Sequence, residues 1–237
     1  MTRLTTTQTE FIESVLSLKP LVAAFDCDGT LWSGDAGEGF FAWELEPGES
    51  LVPESIARWA RPRHADYEAG QVAEEVMCGE MVTMHRGLRE EVVQQACDAY
   101  FSRAINAGIF PEMRELVRRL LDSGCEVWAV SSSNQWIIRS GMRCFGIPQN
   151  RILAAETAVE NGIITDRLIR VPSGSGKPEA IREVVNGTLD CAFGNSVWDR
   201  EMLEMSKHPF AINPNPNLKA IALAKGWRVY QPDALSL

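Results

Sequence analysis

Leu21 to Asp35, LVAAFDCDGTLWSGD, is the stretch whose reading decides the fold. An apolar run stops abruptly at Asp26-Cys27-Asp28, and Gly29 and Thr30 follow. A short apolar run closed by a turn signal reads as a buried strand. Side chains two residues apart on an extended chain share one side. The two carboxylates therefore stand together where the strand ends, and Cys27 points away, which argues against a redox role. Gly29 allows a tight turn and lets the backbone come close to a ligand. A calcium loop of the EF-hand type is excluded. It needs a ligand at its fifth position, glycine at the sixth and glutamate at the twelfth, and here these are Thr30, Leu31 and Gly37.

Similar apolar runs occur at residues 127–130, 191–193, 209–212 and 228–230, with helix-like patterns between most of them. Residues 111–121 start with Pro111 and carry Met113, Leu116, Val117, Leu120 and Leu121 at helical spacing. Asp122-Ser123-Gly124 ends that pattern. Residues 135–143, 179–185 and 218–225 also read as helices, the last closed by Gly226. Strand–helix alternation predicts an α/β fold with a parallel sheet covered on both faces. Such sheets carry their chemistry at the carboxyl ends of the strands. Asn161-Gly162 between β-prone residues predicts a hairpin.

Residues 36–107 break the alternation. They show amphipathic patterns, clearest over 53–60, 65–77 and 90–105, and no convincing strand. A helical lid over the sheet's active end is expected there, with residues 1–35 and 108–237 forming the core.

Composition narrows the function classes. Lys plus Arg number 23 against 32 Asp plus Glu, a formal charge of -9, which disfavours nucleic-acid binding. The six cysteines form no CxxC pair or zinc spacing and are expected to be reduced and packed. The polar first twenty residues lack a signal-type apolar stretch. No apolar run approaches the roughly 20 residues needed to span a bilayer. A cytoplasmic protein with no membrane partner is expected, and the sequence sets no oligomeric state.

Three more polar clusters follow apolar runs or open helices. Ser131 follows Val130 and offers a hydroxyl to an anion, while Ser132, Ser133 or Asn134 can cap the next helix. PSGSGKPEA resembles a phosphate-binding P-loop only superficially, because Val171 and Pro178 replace its first glycine and its Ser/Thr. Lys177 in that loop still suits one anion. AFGNSVWDREML places Asn195 and Asp199 after another strand, and both carry oxygens suited to a hard cation such as Mg²⁺.

Together DCDGT, the Ser131 strand end, Lys177 and GNSVWD resemble the four motifs of the haloacid dehalogenase (HAD) superfamily. The insertion between the first two motifs resembles that of its C1-capped, phosphoserine phosphatase-like branch. INPNPNLKAIALAKGWRVY is similar to that group's closing strand–helix–strand. The resemblance implies a Rossmann-like core with a helical C1 cap and a phosphatase acting on a small phosphorylated metabolite. Asp26 would attack phosphorus and become an aspartyl-phosphate, and Asp28 would serve as acid and then base. Ser131 and Lys177 would hold the transferring group. Gly29, Thr30, Glu38 and Ser132 would contact substrate. Mg²⁺ would be held by Asp26, the Asp28 carbonyl and Asn195, with Asp199 as a ligand or a carboxylate behind the ligands. Asp28 separates phosphatases from the founding dehalogenases, which lack it. Asn195 departs from the family pattern, where aspartate is usual, and removes one negative charge.

The resemblance makes Glu38 the receiver of a substrate amine, against the alternative of an exposed acid opening a helix. Trp32, Trp43, Trp59 and Tyr67 offer faces for a quaternary ammonium such as phosphocholine's, against the alternative of lid core. Arg58, Arg61, Arg63 and Arg86 could read a substrate carboxylate, and His85 could join the site from the lid. Phosphocholine- or phosphoethanolamine-type phosphatase, phosphotransferase and non-catalytic binding protein remain the alternatives.

Overall fold

The computed structural model describes residues 4–46, 48 and 51–233. Helix α1 (Thr6–Leu16) precedes β1 (Val22–Phe25). Next come α2 (Ala36–Glu44), α3 (Glu54–Glu68), α4 (Glu74–Thr83) and α5 (Glu90–Tyr100), with a π-helical turn at Phe101–Ile105. The chain continues through α6 (Pro111–Asp122), β2 (Glu126–Asn134), α7 (Gln135–Arg143), β3 (Ile152–Glu160) and β4 (Ile163–Arg170). It ends with α8 (Gly176–Val184), β5 (Cys191–Gly194), α9 (Arg200–Met205), β6 (His208–Ile212), α10 (Pro216–Lys225) and β7 (Arg228–Tyr230). Helix α1, which the sequence reading left unassigned, is fixed locally: Thr5 and Gln8 cap each other's backbone amides in a capping box.

The strands form one sheet in the order β4-β3-β2-β1-β5-β6-β7. All neighbours are parallel except β3 and β4, the hairpin turned by Asn161 and Gly162. Strand β1 is central, so the carboxylate pair leaves from the middle of the sheet. Its side chains alternate as a strand buried on both faces requires. Ala23 and Phe25 join the apolar layer of α1, α6 and α7, and Ala24 joins that of α8, α9 and α10. Phe25, Phe193 and Phe210 lie in register and stack at 4.1 and 4.8 Å. This aromatic ladder stiffens the strands just beneath the site.

Residues 36–107 carry α2 to α5 between β1 and α6. Two details differ from the sequence reading. Helix α2 carries Gly37 and Gly39, which weaken a helical signal, but a Cβ at Gly37 would lie 2.3 Å from Ser133 Oγ. Only glycine lets α2 approach β2 that closely. The pattern over 65–77 is also not one helix: α3 ends at Glu68, Gly70 takes φ +72°, and α4 starts at Glu74.

The cap is tied to the core. Gln94 and Asp98 on α5 bond Ser140 on α7, and Glu90 meets Arg139 at 2.7 Å. Ile164 N–H donates to the Leu88 carbonyl, and Gly87 N–H donates to the Ile164 carbonyl, on the hairpin strand β4. Inside the cap His85 Nε2 meets Glu44 Oε2 at 2.8 Å, both wholly buried, so His85 does not reach the site. Burial opposes the imidazolium, but the Glu44 carboxylate and the Val82 carbonyl outweigh it and the His85 pKa is raised. The pair therefore contributes stability that is fully present below about pH 6.5, the unfolded value, and lost as pH rises through the raised folded one. The melting-temperature advantage of wild type over Glu44→Gln is expected to narrow as pH rises through that window. A constant difference in pH-resolved melts would show that His85 is not charged.

Candidate active site

Past β1 the chain turns back on itself. Asp26 N–H bonds the Phe193 carbonyl, and Thr30 and Leu31 N–H bond the Cys27 carbonyl. Cys27 is buried in the core, and burial pushes its thiol pKa up. A cavity of about 520 Å³ opens above this turn, beneath the cap. Asp26, Asp28, Ser131, Lys177 and Asn195 all line it, as do Gly29, Glu38 and Ser132.

Asp26 is held from both oxygens. Lys177 Nζ donates to Oδ1 at 2.7 Å and Thr30 Oγ1 to Oδ2 at 2.8 Å. Lys177 is 1% exposed and also binds Asp199 Oδ1 and the Val130 carbonyl. Burial opposes its charge, but the two carboxylates outweigh that and hold its pKa well above the lysine range. Burial, then the Asp199 charge, pushes Asp26 up to about 7, with Lys177 and Thr30 pulling it down. Asp28 is raised to about 8 by burial and then by Asp35, although three donors favour its charged form. These are Trp32 Nε1 at 2.8 Å, Ala36 N–H at 2.5 Å and Ser133 Oγ at 2.7 Å. A carboxyl raised by burial can hold the proton that an acid must deliver, and an anchored Asp26 suits a nucleophile.

Ser131 does not close a short strand, as the sequence suggested. Strand β2 runs on to Asn134, with its register broken between Val130 and Asn134. The Ser131 hydroxyl accepts from Ser133 N–H at 3.1 Å, and Asn134 caps α7 through Trp136 and Ile137 N–H. Lys177 comes from the first turn of α8, after the antiparallel β4, rather than from the end of a parallel strand.

The donor set fits a divalent cation. Asp26 and Asp199 share the one ammonium of Lys177, so the pair carries more acid than that cation can offset, and Asp28 stands at the same cavity. The Asn195 carboxamide lies against Gly29, where a Cβ would stand 1.8 Å from Asn195 Nδ2. Asn195 N–H and Ser196 N–H both donate to Asp199 Oδ2 at 2.9 Å. Both Asp199 oxygens are thus occupied, and of its two expected roles the geometry matches the supporting carboxylate. Gly29→Ala must move Asn195 and also strains a φ of +72°. We expect it to cost about 1–2 kcal/mol of stability and to raise the Mg²⁺ concentration needed for half-maximal activity. A metal titration of the folded variant checks this.

Several expectations are corrected. Thr30 is wholly buried with its hydroxyl on Asp26, so it orients that carboxylate rather than touching substrate. Trp32 is buried core, its indole N–H on Asp28. Trp43 packs on Phe40 and Tyr100, and Trp59 stands apart from the cavity, so only Tyr67 of the four aromatics lines it. Arg58 pairs with Glu54, Arg61 bonds the Leu45 carbonyl, Arg63 grips Glu80 and Arg86 meets Asp166. None of these arginines lines the cavity. Glu38 sits at the rim, 51% exposed, with its carboxylate 3.2 Å from His64 Nε2.

Sequence reasoning missed Ser133 and Trp32 as partners of Asp28. It also missed Asn213, whose Nδ2 donates to the Gly29 carbonyl at 3.1 Å, and Asn215, whose N–H bonds the Asn195 carbonyl. The asparagines after β6 form a further polar cluster at a strand end, a signal visible in INPNPN.

The family model for haloacid dehalogenase-like hydrolases matches residues 23–204. Phosphoserine phosphatase SerB1 of Mycobacterium tuberculosis is 31% identical over 127 residues, 51% of this chain and 41% of that protein. The chain thus spans about two-fifths of the length of the first curated relatives it matches. Histidinol-phosphatase of Neisseria meningitidis is 25% identical over 218 residues, 88% of this chain and 97% of that one. A solved protein of unknown function from Bordetella pertussis shares the fold at TM-score 0.77 and 23% identity, covering 88% of this chain and 97% of its own. Among the described residues no helix is long and apolar enough to cross a membrane.

Proposed function

The chain belongs to the haloacid dehalogenase-like hydrolase family, and on that premise we propose that it is a Mg²⁺-dependent phosphatase for a small, amine-bearing phosphate monoester. One observation carries the reading: a buried and a half-buried carboxylate face one cavity, Asp26 anchored by an ammonium and Asp28 raised to about 8. An Asp26 oxygen attacks phosphorus as the bond to the leaving oxygen breaks, which makes an aspartyl-phosphate. Asp28 delivers its proton to the leaving oxygen, so an alcohol departs. Asp28 then takes a proton from water as that water attacks phosphorus, which frees phosphate and restores Asp26. Lys177 keeps Asp26 oriented and offsets charge developing on the phosphoryl oxygens with the Ser131 hydroxyl. Asp26, the Asp28 carbonyl and Asn195 would hold Mg²⁺, which supplies positive charge against the repulsion between carboxylate and phosphate.

The relatives named phosphoserine phosphatase and histidinol-phosphatase support an amine-bearing ester. A panel of phosphate monoesters, assayed with metal-stripped protein and with added Mg²⁺, tests the reading. Hydrolysis that appears only with metal is expected. A metal-loaded, folded protein that releases phosphate from none of the panel would sink it.

A further inference from the structure

The break at Gly70 sets the start of α4, and with it the position of Glu74. Glu74, Met77, Cys78 and Met81 recur at helical spacing and all line the cavity. Glu74 is 9% exposed, and its Oε1 accepts from Ser173 Oγ at 2.8 Å, a core residue just before α8. Among the described residues no protein donor meets its Oε2. Oε2 is not a buried orphan: it opens on the cavity, where a ligand's donor can reach it. Burial pushes the Glu74 pKa up, while Ser173 and Lys177 pull it back. Tyr67 closes the same corner. Burial, then the Glu74 charge, raises its hydroxyl pKa.

The charges around the cavity narrow what fits. Its lining contains Asp26, Asp28, Asp35, Glu38 and Glu74. Among the described residues its basic side chains are Lys177 and His64. Lys177 is committed to Asp26 and Asp199, and His64 lies between Glu38 and Glu68 at 3.2 and 3.8 Å. A leaving group with a carboxylate would meet acids and no free guanidinium. A positive charge there would meet Glu74 out of water, where attraction is strong, whereas Glu38 at the rim is screened.

Resting on the phosphatase reading, we propose that Glu74 is the specificity-determining residue of this site. Its carboxylate receives the cationic nitrogen of a leaving alcohol that carries an amine and no carboxylate. The carbon chain of that alcohol lies along Met77, Cys78 and Met81.

Phosphoethanolamine, propyl phosphate and phosphoserine test this with Mg²⁺ present, because the first two differ by an ammonium in place of a methyl. Wild type is expected to favour phosphoethanolamine over propyl phosphate in kcat/KM by about 10- to 100-fold, and to favour it over phosphoserine. Glu74→Gln keeps an acceptor for Ser173 but loses the charge, so the first ratio should collapse toward unity, mainly through KM. Ser173→Ala removes the tether and keeps the charge, so most of the ratio should survive. If Glu74 only closes the cap, the two variants would instead slow all three esters alike. That pattern overturns the proposal, as does a larger collapse in Glu38→Gln than in Glu74→Gln, or a wild-type preference for phosphoserine. Hydrolysis of p-nitrophenyl phosphate but none of the three esters overturns this inference alone. Failure on every ester overturns the phosphatase reading and this inference with it.

Discussion

Asp26→Asn is expected to reduce phosphate-ester hydrolysis by about 10⁴-fold or more, with the fold intact. The magnitude is that of removing a covalent nucleophile, whose loss its partners do not compensate. The amide conserves volume: its oxygen can still accept from Lys177, and its NH₂ can donate to the Thr30 hydroxyl, which is able to accept, where the two Asp26 oxygens now sit. Lys177 keeps Asp199 as its counter-ion, so no wholly unpaired charge is left buried. The activity loss therefore reports chemistry rather than unfolding, and circular dichroism with a thermal melt separates the two. Rapid acid quench with labelled substrate gives a second readout: label should remain on wild type and be absent from the variant. Substantial turnover by folded Asp26→Asn would place the attacking oxygen elsewhere.

Lys177→Met is the second large effect, and it strikes stability and rate together. The ammonium lies between Asp26 and Asp199, wholly out of solvent. An apolar side chain of similar length leaves two buried carboxylates facing each other. Breaking a buried ion pair from one side costs about 3–5 kcal/mol, which corresponds to a fall in melting temperature of roughly 6–20 °C for a chain of this size. Protonation relieves part of the cost, since burial and Asp199 already raise Asp26 to about 7, so the deficit should shrink as pH falls through that range. Activity should drop by about 10²- to 10³-fold as charge stabilisation is lost. Differential scanning calorimetry across pH and steady-state kinetics check both halves. A variant as stable as wild type at alkaline pH would refute the ion-pair account.

Much of the framework was legible because its signals are local. The runs that became β5, β6 and β7 and the pattern of α7 agree with the structure to within a residue at each end. A buried parallel strand is a short apolar run wherever it lies. The Asn161-Gly162 turn could be read for the same reason, because it needs positive φ at both central residues, here 53° and 77°. Missed features depended on distant partners. Helix α2 carries glycines that look like helix breakers until Ser133 and Tyr100 stand against them. Strand β2 extends through three serines because β3 pairs with Asn134 beyond a register break.

The site divides the same way. Spacing in DCDGT put two carboxylates on one side of a strand end, and the order of the polar clusters placed Ser131, Lys177 and Asn195 near them, all of which line the cavity. Side-chain direction across the cap was beyond spacing. Trp32 turned inward to Asp28, four arginines found other partners, and Glu74 came to the cavity wall. By itself the sequence determined the α/β framework and the chemical types gathered at the carboxyl end of the sheet, because strand periodicity and turn chemistry act over a few residues. Only the tertiary structure decided which cap residues face the cavity. That depends on how α3 and α4 break and pack over the sheet, a balance of long-range contacts that no local pattern encodes.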